Sequence, residues 1–246
     1  MIPIHNESDS PENYEHWELM VPELSSRSVL YQIHPIGIGT AETECLTSYL
    51  ARLANAHHLP VGQLLIWQLI PMINDGRTES GRLLNYFTLT KMCPANGADT
   101  LALDLIGAIE RLTLTTGIAP TTFVLWSNVV SRRELLRPVR VWCPRCYTHQ
   151  VTEGSPLYDP LLWTVIPVRV CPRHQIPLQE KCPACRKRIR PVLNLYLPGF
   201  CPYCHCWLGA LGREPTTDER TAIIDDLDYE LWAADGIGRI IAASPT

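Results

Sequence analysis

The chain has 246 residues, 46% of them hydrophobic, enough to bury one large core or two smaller ones, so disorder is excluded over most of its length. Its longest apolar run, residues 61–73, is broken by Gln63, Gln68 and Pro71 and falls short of the roughly 18 residues of a membrane span. The opening from Met1 to Ser10 is polar and acidic where a leader would be basic then apolar, so a cytoplasmic protein is expected, and the net charge of −4 argues against affinity built mainly on neutralising phosphates.

In chain order, residues 1–39, with Pro3, Pro11, Pro22 and Pro35, read as an extended arm. From Glu42 the residues Leu46, Tyr49, Leu50, Leu53 and His57 recur at helical spacing and predict an amphipathic helix ending near His58. Pro60 suits the first turn of a second helix, whose stripe is Leu64, Leu65, Gln68 and Leu69. Two helices joined by a tight turn have the form of a helix-turn-helix unit. Further helices are expected at 79–88, at 100–113 before the stop signal Gly117, and at 121–136 before Pro138, giving a helical domain over 40–136.

From Arg137 prolines and cysteines become dense and apolar runs shorten to Val139–Trp142 and Thr164–Val170, the texture of small metal-stapled hairpins over 137–210. A C-terminal segment, 211–246, carries a last helix that starts at Thr216 with a Glu219 capping box, runs through Ile223, Ile224, Leu227 and Leu231, and stops before Gly236. The expected fold class is mainly α with small zinc-ribbon or knuckle modules.

Seven of the ten cysteines fall, with one histidine, into four pairs: Cys143-Pro-Arg-Cys146, Cys171-Pro-Arg-His174, Cys182-Pro-Ala-Cys185 and Cys201-Pro-Tyr-Cys204. In a reducing compartment this pattern means metal ligation rather than disulfides. A two-residue gap lets both side chains reach one tetrahedral ion, and two pairs close a structural zinc site with no place left for water. Eight ligands suit two zinc ions. Paired in chain order, the sites are Cys143, Cys146, Cys171, His174 and Cys182, Cys185, Cys201, Cys204; a cross-braced pairing of the first pair with the third stays open, as do His149, His205 and Cys206 as substitute ligands. Cys45 and Cys93 read as buried thiols.

Closed sites leave no open position for a reacting water. The deaminase pattern fails as well, because His16-Trp17-Glu18 matches its first half but Trp142, Val170, Lys181 and Phe200 stand where proline should precede the pairs. A non-enzymatic protein is expected.

Lys and Arg number 6 against 13 Asp and Glu in residues 1–130, 12 against 4 in 131–190, and 3 against 8 in 191–246. The basic centre, marked by Arg132, Arg133, Arg137, Arg140, Arg186, Lys187, Arg188 and Arg190, is a solvated face or a candidate surface for partner contact. No Lys or Arg lies between Arg52 and Arg77, which argues against the second helix as a major-groove reader.

Two stretches resemble the TniQ family of transposon target-selection proteins. Pro35-Ile-Gly-Ile-Gly-Thr40 followed by Glu44-Cys-Leu-Thr-Ser-Tyr-Leu-Ala-Arg-Leu-Ala54 is similar to the family's opening. Trp163 to Pro167, Val170-Cys-Pro-Arg-His174, Leu178 and Cys182-Pro-Ala-Cys185 are similar to its Trp…Cys-Pro-x-His…Leu…Cys-Pro-x-Cys core. The resemblance implies an adaptor in DNA transposition that links a target-recognising partner, such as an RNA-guided CRISPR complex, to a TnsC-type AAA+ ATPase, working at the nucleoid, with homo-oligomerisation left open; for the basic centre it implies contact with guide RNA, target DNA or an acidic partner. Longer relatives of the TnsD kind bind an attachment site themselves; with about forty residues after the last pair, that alternative is the less expected.

Overall fold

The computed structural model describes residues 27–75, 92–131, 133–192, 194–209 and 227–244. The expected helix at 79–88, the Thr216–Glu219 capping box and most of the arm lie outside them. Within them the protein is rich in helix, with one two-stranded sheet, and no helix is long and apolar enough to cross a membrane.

Helix α1 (Leu46–Ala56) starts after an extended Cys45. Eight of its eleven residues are buried, so it is enclosed by the core rather than laid upon it. It begins later than the periodicity from Glu42 suggests because Glu44 has other work. The Glu44 carboxylate accepts from Arg52 Nε (2.8 Å), Arg52 Nη2 (2.7 Å), Ser48 Oγ (2.9 Å) and the Ile36 N–H (3.2 Å), which ties the preceding loop to the helix.

Pro60 is the extended residue before α2 (Val61–Leu64), which continues through a π turn at Leu65–Leu69 into α3 (Ile70–Asp75). Pro71 explains the turn: it has no N–H to give the carbonyl four residues back, and its ring crowds that carbonyl, so the backbone widens just before it. Leu64, Leu65 and Leu69 are buried as expected, while Trp67 points outward, 58% exposed. Gly62 lets this helix approach the later chain, since a Cβ there would sit 2.3 Å from Asn194 Oδ1. Helix α4 (Thr100–Thr113) occupies the predicted span and packs with α1 to α3 into one core, which Val192 and Tyr196 enter from the second half.

The helix expected over 121–136 does not form. Ala119–Thr121 and Val124–Trp126 are single 3₁₀ turns followed by irregular chain. Thr121 and Thr122 donate their hydroxyls to the carbonyls of Ile118 and Ala119, and the Val124 N–H turns back to Thr122 Oγ1. Side chains that bond locally offer the backbone an alternative to the helix, and the run of β-branched residues supplies no counterweight.

In the second half, α5 (Pro144–Thr152) opens on the first cysteine pair, and β1 (Val170–Cys171) pairs antiparallel with β2 (Ile176–Pro177) around the second. Helix α6 (Leu227–Ala242) runs past Gly236, where a stop was expected, because Gly238 faces the chain: a Cβ there would lie 2.9 Å from Ala41 Cβ. Glycine in mid-helix is kept for this close approach. Ala234 and Ile241 join a core with Phe123, Leu162, Val168 and Val170.

At the centre lies an ion pair in which both side chains are nearly inaccessible. Asp159 accepts from Arg140 Nε at 2.6 Å and Nη2 at 3.2 Å, from Tyr196 OH at 2.6 Å, and from Tyr147 OH. Burial opposes the charge on Arg140, but the field of Asp159 with Tyr147 and Tyr196 outweighs it and holds its pKa well above the ordinary arginine value. Asp159→Ala, which strands the guanidinium, is therefore expected to cost about 3–5 kcal/mol in urea unfolding. A loss below about 1 kcal/mol, the range of an exposed pair, would contradict this account.

Candidate metal centres

Three of the four pairs sit at the tip of the same small hairpin. The N–H of the residue after the pair returns to the carbonyl of its first cysteine: Gln175 to Cys171 (2.7 Å), Arg186 to Cys182 (3.0 Å) and His205 to Cys201 (2.9 Å). That residue is left-handed in each case, with φ of 51°, 60° and 58°. Behind it the strands close in one register, Val170 with Pro177, Lys181 with Arg188 and Phe200 with Trp207. Proline after the first cysteine fixes φ near −65° and starts the turn. The remaining pair differs: Cys143 is the residue before α5 and Pro144 its first residue, so Cys146 projects from the first helical turn.

These elements bring together two groups whose ligand atoms all lie within 4.8 Å of one another: Cys143, Cys146, Cys171 and His174, then Cys182, Cys185, Cys201 and Cys204. Each group joins neighbouring pairs in chain order; the cross-braced arrangement is not the one formed. In the first, His174 Nδ1 lies 3.3–3.6 Å from the three sulfurs, and Cys146 Sγ 3.6 Å from Cys171 Sγ. In the second, Cys182–Cys204 and Cys185–Cys201 are 3.6 and 3.7 Å apart. Two sulfurs held at about 2.3 Å by a tetrahedral ion lie about 3.8 Å apart, so both groups are able to hold a metal ion without rearrangement. Hydrogen bonds from Cys143 and Cys146 lower the Cys171 thiol, while the thiols of Cys143 and Cys146 are themselves raised.

Cys45, by contrast, is fully buried, and desolvation raises its thiol to about 12, fitting an inert core residue. The side chain of Cys93 lies outside what is described.

The packing around both groups is aromatic. Tyr147, next to Cys146, meets Trp163 edge-on at 5.6 Å and Trp207 at 6.0 Å, and Trp142 Nε1 donates to the Leu208 carbonyl at 3.2 Å.

A model of the TniQ family matches residues 35–178. The chain belongs to the TniQ family. No curated protein matches it. Membership supports a target-selection or adaptor role in DNA transposition, and the match spans the first candidate centre while ending just before the second. Glu44 and Arg52, both inside the family-like opening, turn out to be an ion pair at 2.7 Å.

The basic residues separate into two kinds. Arg186, Lys187, Arg188 and Arg190 are exposed on and beside the second centre's first hairpin, with Lys187 Nζ 5.0 Å from the centre of the Tyr203 ring and Arg188 paired with Glu180 at 2.7 Å. Arg133 is exposed and Arg132 lies outside the described residues. Arg140 is a correction, since it is buried on Asp159 and unable to meet a partner. Arg137 is half-buried, and its guanidinium donates to the carbonyls of Val165, Ile166 and Val168. Sequence reasoning passed over Asp159, Tyr147 and Tyr196, which carry no motif; their signal exists only once the chain is folded.

Elemental analysis of the purified chain is expected to find two metal ions per molecule. Cys185→Ala should leave one and melt the second hairpin pair, because binding energy at closed sites is folding energy. Full retention of both ions in this variant would remove Cys185 from the ligand set.

Proposed function

We propose that the chain is a target-selection adaptor with two structural zinc ions, one held by Cys143, Cys146, Cys171 and His174 and the other by Cys182, Cys185, Cys201 and Cys204. It links a target-recognising complex, an RNA-guided CRISPR effector, to a TnsC-type AAA+ ATPase. The family match over residues 35–178 is the observation that carries this reading. Sulfur-rich tetrahedral sets favour zinc over magnesium or calcium, which prefer oxygen, and the spacing within both groups supports closed sites with a structural role.

Two surfaces of unlike character suit two partners. One is the basic edge at Arg186, Lys187 and Arg190; the other is helix α6, which exposes Tyr229 (59%), Trp232 (66%) and Asp228, with Asp235 paired to Arg239 at 3.1 Å. Opposite charge steers each surface to a different partner and sets orientation more than affinity. The helix-turn-helix-like pair serves as a protein-contacting and core-forming unit. No basic residue lies between Arg52 and the end of α3, and the outward residue is the apolar Trp67.

Charge reversal at Arg186, Lys187, Arg188 and Arg190 is expected to weaken capture of one partner in pull-downs while metal content and capture of the other partner stay unchanged. Equal loss of both partners by a folded variant would argue against separate surfaces. The isolated chain is expected to bind duplex DNA weakly and without sequence preference. A footprint at a defined site with nanomolar affinity at physiological salt would instead establish an attachment-site reader of the TnsD kind.

A further inference from the structure

The three hairpins share a register but not the residue five places after the first cysteine, which is Ile176, Lys187 or Cys206. In the last hairpin the Cys201 N–H donates to the Cys206 carbonyl at 3.0 Å, the bond that Cys182 makes with Lys187. This register turns a fifth sulfur toward the second centre. Cys206 Sγ lies 3.2 Å from Cys182 Sγ, closer than Cys204 at 3.6 Å. The two candidates differ in access: Cys204 is exposed and Cys206 half-buried. Between them stands only His205, at φ 58°.

We propose that the second centre is a five-thiol site in which Cys206 is an alternate ligand, exchanging with Cys204 for the fourth position beside Cys182, Cys185 and Cys201. The inference rests on the reading of those three residues as zinc ligands. An ion at this corner of the molecule has four sulfurs to close its tetrahedron and a spare one within the same 3–4 Å of Cys182, so loss of the exposed thiol costs a short movement of one side chain rather than the site. Because His205 and Tyr203 flank Cys204, exchange also resets the tip that Tyr203 shares with Lys187, next to the basic edge.

The test uses the full chain loaded with cobalt(II), whose thiolate charge-transfer absorption grows with the number of bound sulfurs. Two ions in the unaltered protein establish the starting point; a single ion would sink the two-centre reading itself. Cys204→Ala is then expected to keep two ions and the four-sulfur absorption of the second centre, Cys206→Ala to do the same, and the double variant to lose one ion per chain. Cys185→Ala sets the scale of a loss. If Cys204→Ala loses as much as Cys185→Ala, or if the double variant matches Cys204→Ala, the exchange does not occur. A second measurement needs no substitution: a short iodoacetamide pulse on the zinc-loaded protein, followed by peptide mass spectrometry, should divide the label between Cys204 and Cys206. Label confined to one of the two means a fixed ligand set and overturns the proposal.

Discussion

The fold hangs on one carboxylate. Removing an arginine and an aspartate from water costs several kcal/mol per ion, and Coulomb attraction returns it only where the remaining lone pairs and protons are also satisfied. Asp159 meets that condition with four donated hydrogen bonds, and their sources lie far apart in the chain. Its own N–H donates to Ser48 Oγ in α1, and its carbonyl accepts from the Cys45 N–H just before that helix. Tyr147 follows Cys146, a candidate ligand of the first group, and Arg140 reaches the carbonyl of Phe200, just before a cysteine of the second. Tyr196 brings in the helical core and lies under the guanidinium, whose central carbon is 4.6 Å from its ring centre. The helical half and both metal centres are thereby held in one register. Lysine in place of Arg140 has a single rotating ammonium and lacks the planar fork that grips Asp159 on two atoms while reaching two more oxygens.

A second constraint is local and repeated. A hairpin that must point two side chains at one ion has to reverse direction within four residues, and the left-handed residue after each pair completes that reversal. Gln175, Arg186 and His205 hold this conformation where glycine would do so without strain. Each pays for it with a hydrogen bond to the first cysteine's carbonyl, and the ligand geometry over-determines the rest. The pair at Cys143 escapes the strain by another route, using the first turn of a helix, where proline costs no hydrogen bond.

How far the sequence speaks follows from the range of the interaction. Spacing within four residues is local, and it named the eight residues that the fold gathers into two groups able to hold a metal, as helical spacing did the span of α4. Apolar periodicity found α1 and the helix after Pro60 but not their edges, which are set by Glu44 reaching Arg52 and by Pro71 forcing a π turn. It failed over 121–136, where threonine hydroxyls compete with the helix and periodicity is blind to them. The Arg140–Asp159 pair spans 19 residues and two elements, and no local pattern announces it; read alone, Arg140 looks like one more member of a basic run. Cys206 is the middle case. Its sulfur is visible in the sequence, but only the hairpin register shows that it falls beside Cys182 rather than on the outer face.

The same distinction changes what the basic centre means. Of its twelve cations, Arg140 neutralises Asp159, Arg137 caps three carbonyls, Arg169 pairs with Glu230 of α6, and Arg188 with Glu180. The buried Arg140 pair and the Arg137 carbonyl bonds hold the molecule together, while the exposed pair at Arg188 contributes little to stability. The exposed surplus is concentrated around the second centre, whose four thiolates and one dication would sum to about −2, against about −1 for a centre with three thiolates and a neutral imidazole. A bound ion would therefore place a local anion beside Arg186, Lys187 and Arg190, which are exposed to solvent. Part of their field would then be offset by the site beside them, which favours orienting a partner over affinity from charge alone.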